Sequence, residues 1–307
     1  MFVAFLAAAP PAAAQIGSER YAAIVIEAGT GRVLTAASPD EPRYPASLTK
    51  MMTLYLVFEA IRDGRLELDT RVPVSENAAA MPPSRLGLQP GMMLRVEEAV
   101  LAIVTKSAND AAAALGELLG GGSEQRFAQI MTLRARALGM SHTTFRNASG
   151  LPDPDQVTTA RDMALLGCRL LADFPRQYTY FSTPSFTFRG HTLWNHNRLL
   201  QDYEGADGIK TGYVNDSGFN LVASAERDGV RLVAAVFGGS SGRERDRHMM
   251  ALLDQGFAEM GVAPREVLMA RGPLSGLLAS ARAATLRHGA LAHRAGARRV
   301  AVVERRP

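Results

Sequence analysis

The chain has 307 residues, 47% of them hydrophobic and 21% charged, enough apolar material for one large folded domain, with or without a small appendage, and too much for wholesale disorder. Its net charge of +4 is gathered at one end, where residues 280–307 hold seven arginines against Glu304; the rest is near neutral, which excludes a basic body that binds nucleic acid. A single cysteine, Cys168, excludes an internal disulfide framework and reads as a small buried hydrophobe, and six histidines without a His-x-x-x-His pair imply no metal site.

Residues 1–14, MFVAFLAAAPPAAA, form an apolar run ending in small residues. It is too short to cross a bilayer and has the character of an export signal, although no basic stretch precedes it. Export to the periplasm or the outer face of the cytoplasmic membrane is the expectation. Tyr21 to Glu27 and Arg32 to Ala36 are β-rich runs joined by Ala28-Gly29-Thr30-Gly31, a hairpin pattern. Pro45-Ala46-Ser47 then leads into a helical run that stops at Gly64. Further helices are expected from Val96 to about Leu119, closed by Gly120-Gly121-Gly122, and from Glu124 to Leu138.

Glycine, prolines and aspartates make 147–159 (NASGLPDPDQVTT) a long loop before a helix resumes at Ala160. Gly218 to Ala225 and Val230 to Phe237 form a second hairpin around Glu226-Arg227-Asp228-Gly229, and residues 243–260 carry one apolar helical face. Strands at both ends with helices between predict an α+β fold: one antiparallel sheet closed by pairing the two hairpins, with a helical subdomain inserted. The arginine-rich tail is basic enough for weak contact with an anionic membrane surface.

Lysine usage singles out three positions. Of 34 basic residues only Lys50, Lys106 and Lys210 are lysine, and arginine cannot replace lysine where an amine must lose its proton. All three lie in or beside short motifs: Ser47-Leu48-Thr49-Lys50, Ser107-Ala108-Asn109 and Lys210-Thr211-Gly212. A Ser-x-x-Lys alone is expected roughly once by chance in such a chain; three motifs in order are specific.

Spacing of three on a helix puts the Ser47 hydroxyl and the Lys50 amine on one face, a nucleophile beside its base. Burial and a second cation, Lys210, would favour the neutral amine that a base requires. An N-cap role explains Ser47 alone, but not a lysine one turn into an apolar segment. Ser107 and Asn109 suit proton relay to a leaving amine and a hold on substrate backbone, although in isolation capping or turn formation is the better explanation of that pair. Lys210-Thr211-Gly212 reads as an edge strand that aligns an extended peptide, with the backbone N–H groups of Ser47 and Tyr213 as oxyanion donors.

This motif set belongs to class A β-lactamases and penicillin-binding proteins. PASLTKMMT, KSANDAA, DGIKTGY and GFNLVASAERDGVRLVAAVFGG resemble the low-molecular-mass D-alanyl-D-alanine carboxypeptidases across roughly Tyr21 to Phe257. The resemblance implies a serine β-lactamase/penicillin-binding-protein-like fold. It also implies acylation of Ser47 by a peptidoglycan stem peptide ending in D-Ala-D-Ala, release of the terminal D-alanine and hydrolysis of the acyl-enzyme. β-Lactam antibiotics would then be covalent inhibitors, and no cofactor is needed.

By the same resemblance Arg243 binds the terminal carboxylate with Thr211, and 147–159 borders the site. The expected organisation is a leader at 1–14, a carboxypeptidase domain at 15–260 and a short basic extension at 261–307, where many relatives carry a β-rich second domain and a terminal membrane anchor; either the chain is a single-domain member or the arginine-rich tail replaces the anchor. Residues 195–198 (NHNR) match the family only loosely, which leaves the roles of His196 and Arg198 open. A β-lactamase needs a glutamate on the loop after the second motif, and 147–159 has none. Transpeptidase chemistry on the same fold remains an alternative. So does a non-catalytic wall-binding protein, although such a protein would be expected to lose Ser47, Lys50 or Lys210, all present here.

Overall fold

The computed structural model describes residues 19–262. The expected leader and nearly all of the basic extension lie outside the described residues. The chain opens with β1 (Ala22–Glu27) and β2 (Val33–Ala37), then a 3-10 turn at Ala46–Leu48 runs into α1 (Thr49–Arg62). The helical half follows: β3 (Arg71–Pro73), α2 (Glu76–Ala80), β4 (Met93–Arg95), α3 (Val96–Lys106), α4 (Asn109–Leu119), α5 (Glu124–Ala137), α6 (Ala160–Asp173) and α7 (Pro175–Tyr178). A small hairpin, β5 (Ser185–Phe188) and β6 (His191–Trp194), and α8 (Leu199–Asp202) lead back to β7 (Ala206–Val214), β8 (Gly218–Arg227), β9 (Val230–Gly239) and α9 (Gly242–Glu259).

Five strands form one antiparallel sheet in the order β2-β1-β9-β8-β7. The pairing of β1 with β9 joins the two hairpins, as their sequence positions predict, and leaves β7 on an edge. Both faces of the sheet are covered, so its central strands are continuous apolar runs. Period-two alternation still sorts their side chains. Leu232, Ala234 and Val236 of β9 meet Met249, Leu253 and Phe257 of α9 on one face. Val233, Ala235 and Phe237 join the larger core built on α1, α3, α4 and α6 on the other.

Helix α1 runs through that larger core. Every residue from Thr49 to Ala60 is buried, as expected of a helix apolar nearly all round. The aromatic rings of Phe58, Phe174 and Phe181 pack edge to face around it at centroid distances of 6.0 and 6.2 Å. Lys50 is the exception in composition, and burial of α1 carries its amine out of water.

The single helix expected over 96–119 is two helices. α3 ends at Ser107, whose φ of 58° and ψ of 38° are left-handed, and the Ala108 N–H returns to the Ala102 carbonyl, closing the helix in the manner usually left to glycine. The apolar period runs on through the break, so local sequence conceals it. Loop 82–88 imposes it: the Ser84 hydroxyl donates to the Lys106 carbonyl at 2.7 Å and the Asn109 N–H to the Ser84 carbonyl at 2.7 Å. The buried Asp110 carboxylate accepts from the N–H groups of Leu86, Gly87 and Leu88 at 2.9–3.1 Å.

The clamp of α9 on the sheet is testable. Phe257 is 1% exposed and carries the Arg227 guanidinium 4.8 Å from its ring centre. Phe257→Ala should lower unfolding free energy by about 3–5 kcal/mol, measured by denaturant titration.

Candidate active site

A cleft of about 1240 Å³ lies between the edge strand β7, the α3–α4 junction and the 147–159 loop, and Ser47, Ser107, Asn109, Thr211, Gly212, Tyr213 and Arg243 all line it. The three motifs, spread over more than 160 residues, therefore meet in one place. Lys50 and Lys210 lie beneath the lining, 0% and 2% exposed.

Ser47 stands in the 3-10 turn before α1 and does not cap that helix. The residue before it, Ala46, has φ +49°, a left-handed conformation that costs an alanine of the order of 1–3 kcal/mol and is typically held by surrounding structure. Two close packings hold it here. A Cβ on Gly150 would come within 1.8 Å of the Ala46 carbonyl oxygen, and a Cβ on Gly212 within 3.1 Å of the Pro45 oxygen. Gly212 thus permits a close approach, but of the nucleophile's own turn to β7 rather than of a substrate alone.

Lys50 Nζ has three partners. It lies 3.0 Å from Ser47 Oγ and 2.7 Å from Asn109 Oδ1, and it donates to the Ser149 carbonyl. Two of these, the amide and backbone carbonyl oxygens, can only accept, so they take two N–H bonds. An ammonium would fill all three contacts with N–H bonds, the third to Ser47 Oγ, whereas a neutral amine would keep two N–H bonds for these acceptors and turn its lone pair to the Ser47 hydroxyl. Burial first, and the charge of Lys210 second, hold the Lys50 pKa well below that of a free lysine. Lys210, bonded to the Thr211 carbonyl at 3.0 Å, is itself lowered to about 7 by burial and then by Arg245.

Asn109 is committed mostly inward. Its Oδ1 serves Lys50 and its Nδ2 donates to the Pro82 carbonyl at 2.8 Å, leaving one N–H for anything in the cleft. Its first task in this structure is to orient Lys50, where sequence spacing pointed to substrate backbone. The Ser107 hydroxyl is buried without a hydrogen-bond partner, and its left-handed backbone places it on the cleft lining. Arg243, in the first turn of α9, reaches the cleft, whereas Arg245 is buried there and bonded to the Asn220 carbonyl and Asp246 at 2.8–2.9 Å.

Three contributors were not identified from sequence: the Ser149 carbonyl, Gly150 and Arg245. Asn147 Oδ1 accepts from the N–H groups of Ser149 and Gly150 at 3.2 and 2.7 Å, an Asx turn that an Asn-x-x-Gly pattern signals. Its position against Lys50 is a tertiary matter. His196 and Arg198 line the cleft; partial desolvation, then Lys210, Lys106 and Lys50, push His196 down to about 4, so it is neutral at pH 7. From the 147–159 loop only Gly150, Leu151 and Pro152 border the cleft. Its Asp155 pairs with Arg146 at 3.3 Å. The burial of Cys168 raises its thiol to about 11, an inert setting away from the cleft lining.

This geometry suits serine acyl transfer, and a family model described as D-alanyl-D-alanine carboxypeptidase matches residues 7–241. The chain belongs to that family. D-alanyl-D-alanine carboxypeptidase DacF of Bacillus subtilis is 35% identical over 255 residues, covering 81% of this chain and 65% of the relative. DacA of Escherichia coli K12 is 37% identical over 254 residues, covering 80% and 62%. The chain thus spans a little under two thirds of the length of these curated relatives.

Among solved structures, penicillin binding protein 5 from Haemophilus influenzae superposes with a TM-score of 0.76 at 35% identity, over 82% of this chain and 73% of that one. Penicillin-Binding Protein D2 from Listeria monocytogenes, in a cefotaxime-bound form, gives 0.70 at 33% identity, over 77% and 96%. The expected α+β penicillin-binding-protein-like fold is therefore established.

The buried lysines leave a mark on stability. Between a folded pKa of about 7 and an unfolded value of about 10.4, Lys210 binds fewer protons folded than unfolded. Its burden on the fold is therefore full below pH 7 and fades as pH rises through that window. Relative to Lys210→Met, wild-type stability should climb by about 1 kcal/mol per pH unit from pH 7 to 10, as read from urea midpoints; a flat difference would place the amine in water.

Proposed function

We propose that the chain is a serine D-Ala-D-Ala carboxypeptidase that removes the terminal D-alanine from peptidoglycan stem peptides through an acyl-enzyme on Ser47. The observation that carries this reading is the arrangement at Lys50, a desolvated amine 3.0 Å from Ser47 Oγ and 2.7 Å from Asn109 Oδ1 that also donates to the Ser149 carbonyl. Family membership and the names of the relatives support the same activity.

In this mechanism the peptide lies along the edge strand β7, and Thr211 and Arg243 hold its terminal carboxylate, with the Lys210 charge beneath them. Lys50 takes the Ser47 proton as Oγ attacks the penultimate D-alanine carbonyl. The oxyanion is met by the N–H groups of Ser47 and Tyr213. The proton passes to the leaving amine by way of the unpartnered Ser107 hydroxyl, and free D-alanine departs. Water then attacks the ester, giving up a proton to Lys50, and Ser47 is regenerated with the shortened peptide as a carboxylic acid.

A β-lactam enters by the same attack, but its ring-opened amine stays tethered and obstructs the water. No carboxylate of the 147–159 loop borders the cleft, which supports slow release of that adduct over β-lactamase turnover. Because wall peptides lie outside the cytoplasmic membrane, the reading also places the enzyme there, with residues 1–14 as its export signal. A fusion of those residues to a reporter active only after export tests that placement; a silent reporter would remove it.

Labelled penicillin should attach to the purified protein and not to Ser47→Ala. Lys50→Arg, which keeps the charge but cannot give up its proton, should acylate at least 10³-fold more slowly. A peptide ending in Lys-D-Ala-D-Ala should release free D-alanine. Equal labelling of wild type and Ser47→Ala would remove the nucleophile assignment, and exchange products without release would move the reading to transpeptidase.

A further inference from the structure

Two of the three lysines have a place in the chemistry above; Lys106 has none. It is the last residue of α3, half-buried, and it lines the same cleft as Ser47. Its charge reaches His196, also on the lining. A helix C-terminus favours a cation in its last turn, but arginine would serve that purpose as well, and the effect leaves the presence of the ammonium on the cleft lining unexplained.

The charge balance of the cleft is unusual. Lys106, Arg198 and Arg243 line it, and Asp246 is the one acid among the lining residues. Asp246 is already held by Arg245 at 2.8 Å. Lys106, Arg198 and Arg243 take part in no ion pair among the described residues. Cations concentrated in a concave, partly desolvated site attract and select anions. One terminal carboxylate occupies Thr211 and Arg243, near which Arg198 also acts on Arg245. That carboxylate does not account for Lys106, which comes from a different element, beside Ser107.

Resting on the carboxypeptidase reading, we propose that Lys106 binds a second carboxylate of the substrate. Beyond the scissile bond there is only the terminal D-alanine, whose single carboxylate is already placed, so the second must lie upstream. The site would then select stem peptides with a free acidic side group and discriminate against the same peptides amidated at that group. Lysine suits this task as a compact point charge that does not impose the planar fork of arginine.

The test compares N-acetyl-L-2-aminoadipyl-D-Ala-D-Ala with its side-chain amide, which differ in that one group. Wild type should release D-alanine from the acid with kcat/KM at least tenfold higher than from the amide. Lys106→Met and Lys106→Gln should bring the ratio within twofold, and Lys106→Arg should keep it above fivefold. A wild-type ratio near one, or a tenfold ratio retained in both neutral variants, overturns the proposal. Should neither peptide release D-alanine, the carboxypeptidase reading fails. The same pair is also measured as competitors of labelled penicillin at Ser47: stronger competition by the acid that is lost in Lys106→Met supports the anion site, and equal or absent competition overturns it.

Discussion

The site depends on one energetic constraint, the removal of an amine from water. An ammonium in a low-dielectric core is expensive, and a lysine meets that expense by giving up its proton. Helix α1 enforces the burial because its neighbours Leu48, Met51, Met52, Leu54 and Phe58 have nowhere else to go. The lowered pKa of Lys50 is thus a consequence of core packing. The same hydrophobic burial that holds the central helix in place lowers the Lys50 pKa well below that of a free lysine, and the nearby charge of Lys210 adds to the effect.

A base also needs direction, and that comes from strained or glycine-dependent backbone at three points. Ala46 and Ser107 adopt left-handed conformations, and Gly150 lies where no side chain fits. Each is fixed by contacts from elsewhere: Ala46 by Gly150 and Gly212, Ser107 by loop 82–88. Strain at such residues is tolerated when the surroundings over-determine it. Here the surroundings are the main core on one side and the edge of a five-stranded sheet on the other. The Ser107 hydroxyl belongs to the same pattern, a buried polar group with no hydrogen-bond partner among the described residues, on the same cleft lining as Ser47.

Cations are divided by function as well as by position. Outside the cleft, arginines do the structural work, pairing Arg134 with Glu59 at 2.7 Å, Arg161 with Asp40 at 2.7 Å and Arg231 with Asp207 at 2.6 Å. The lysines are reserved for the cleft, two below its lining and one on it. A guanidinium makes planar bidentate pairs and never deprotonates, whereas an amine can be neutral, compact or both. That contrast gives the scarcity of lysine a physical meaning.

Much was legible in the amino-acid order. β-Rich apolar runs on either side of glycine-containing turns located both hairpins, and hydrophobic periodicity located α1, α5, α6 and α9. The Ser-x-x-Lys spacing put Ser47 and Lys50 together because three residues on a helix are a local matter. The break at Ser107 was hidden, since its cause is the hydrogen bonds of Ser84 and Asp110 across more than 20 residues, and the helical period is unbroken. The Ser149 carbonyl on Lys50 and the inward commitment of Asn109 were hidden for the same reason, whereas the small β5–β6 hairpin is a local element that turns at Arg189-Gly190. Sequence by itself determined which groups are present, which local elements carry them and which of them could lose a proton; tertiary structure alone decided which do, because desolvation and the count of hydrogen-bond acceptors around an amine depend on residues far apart in the chain.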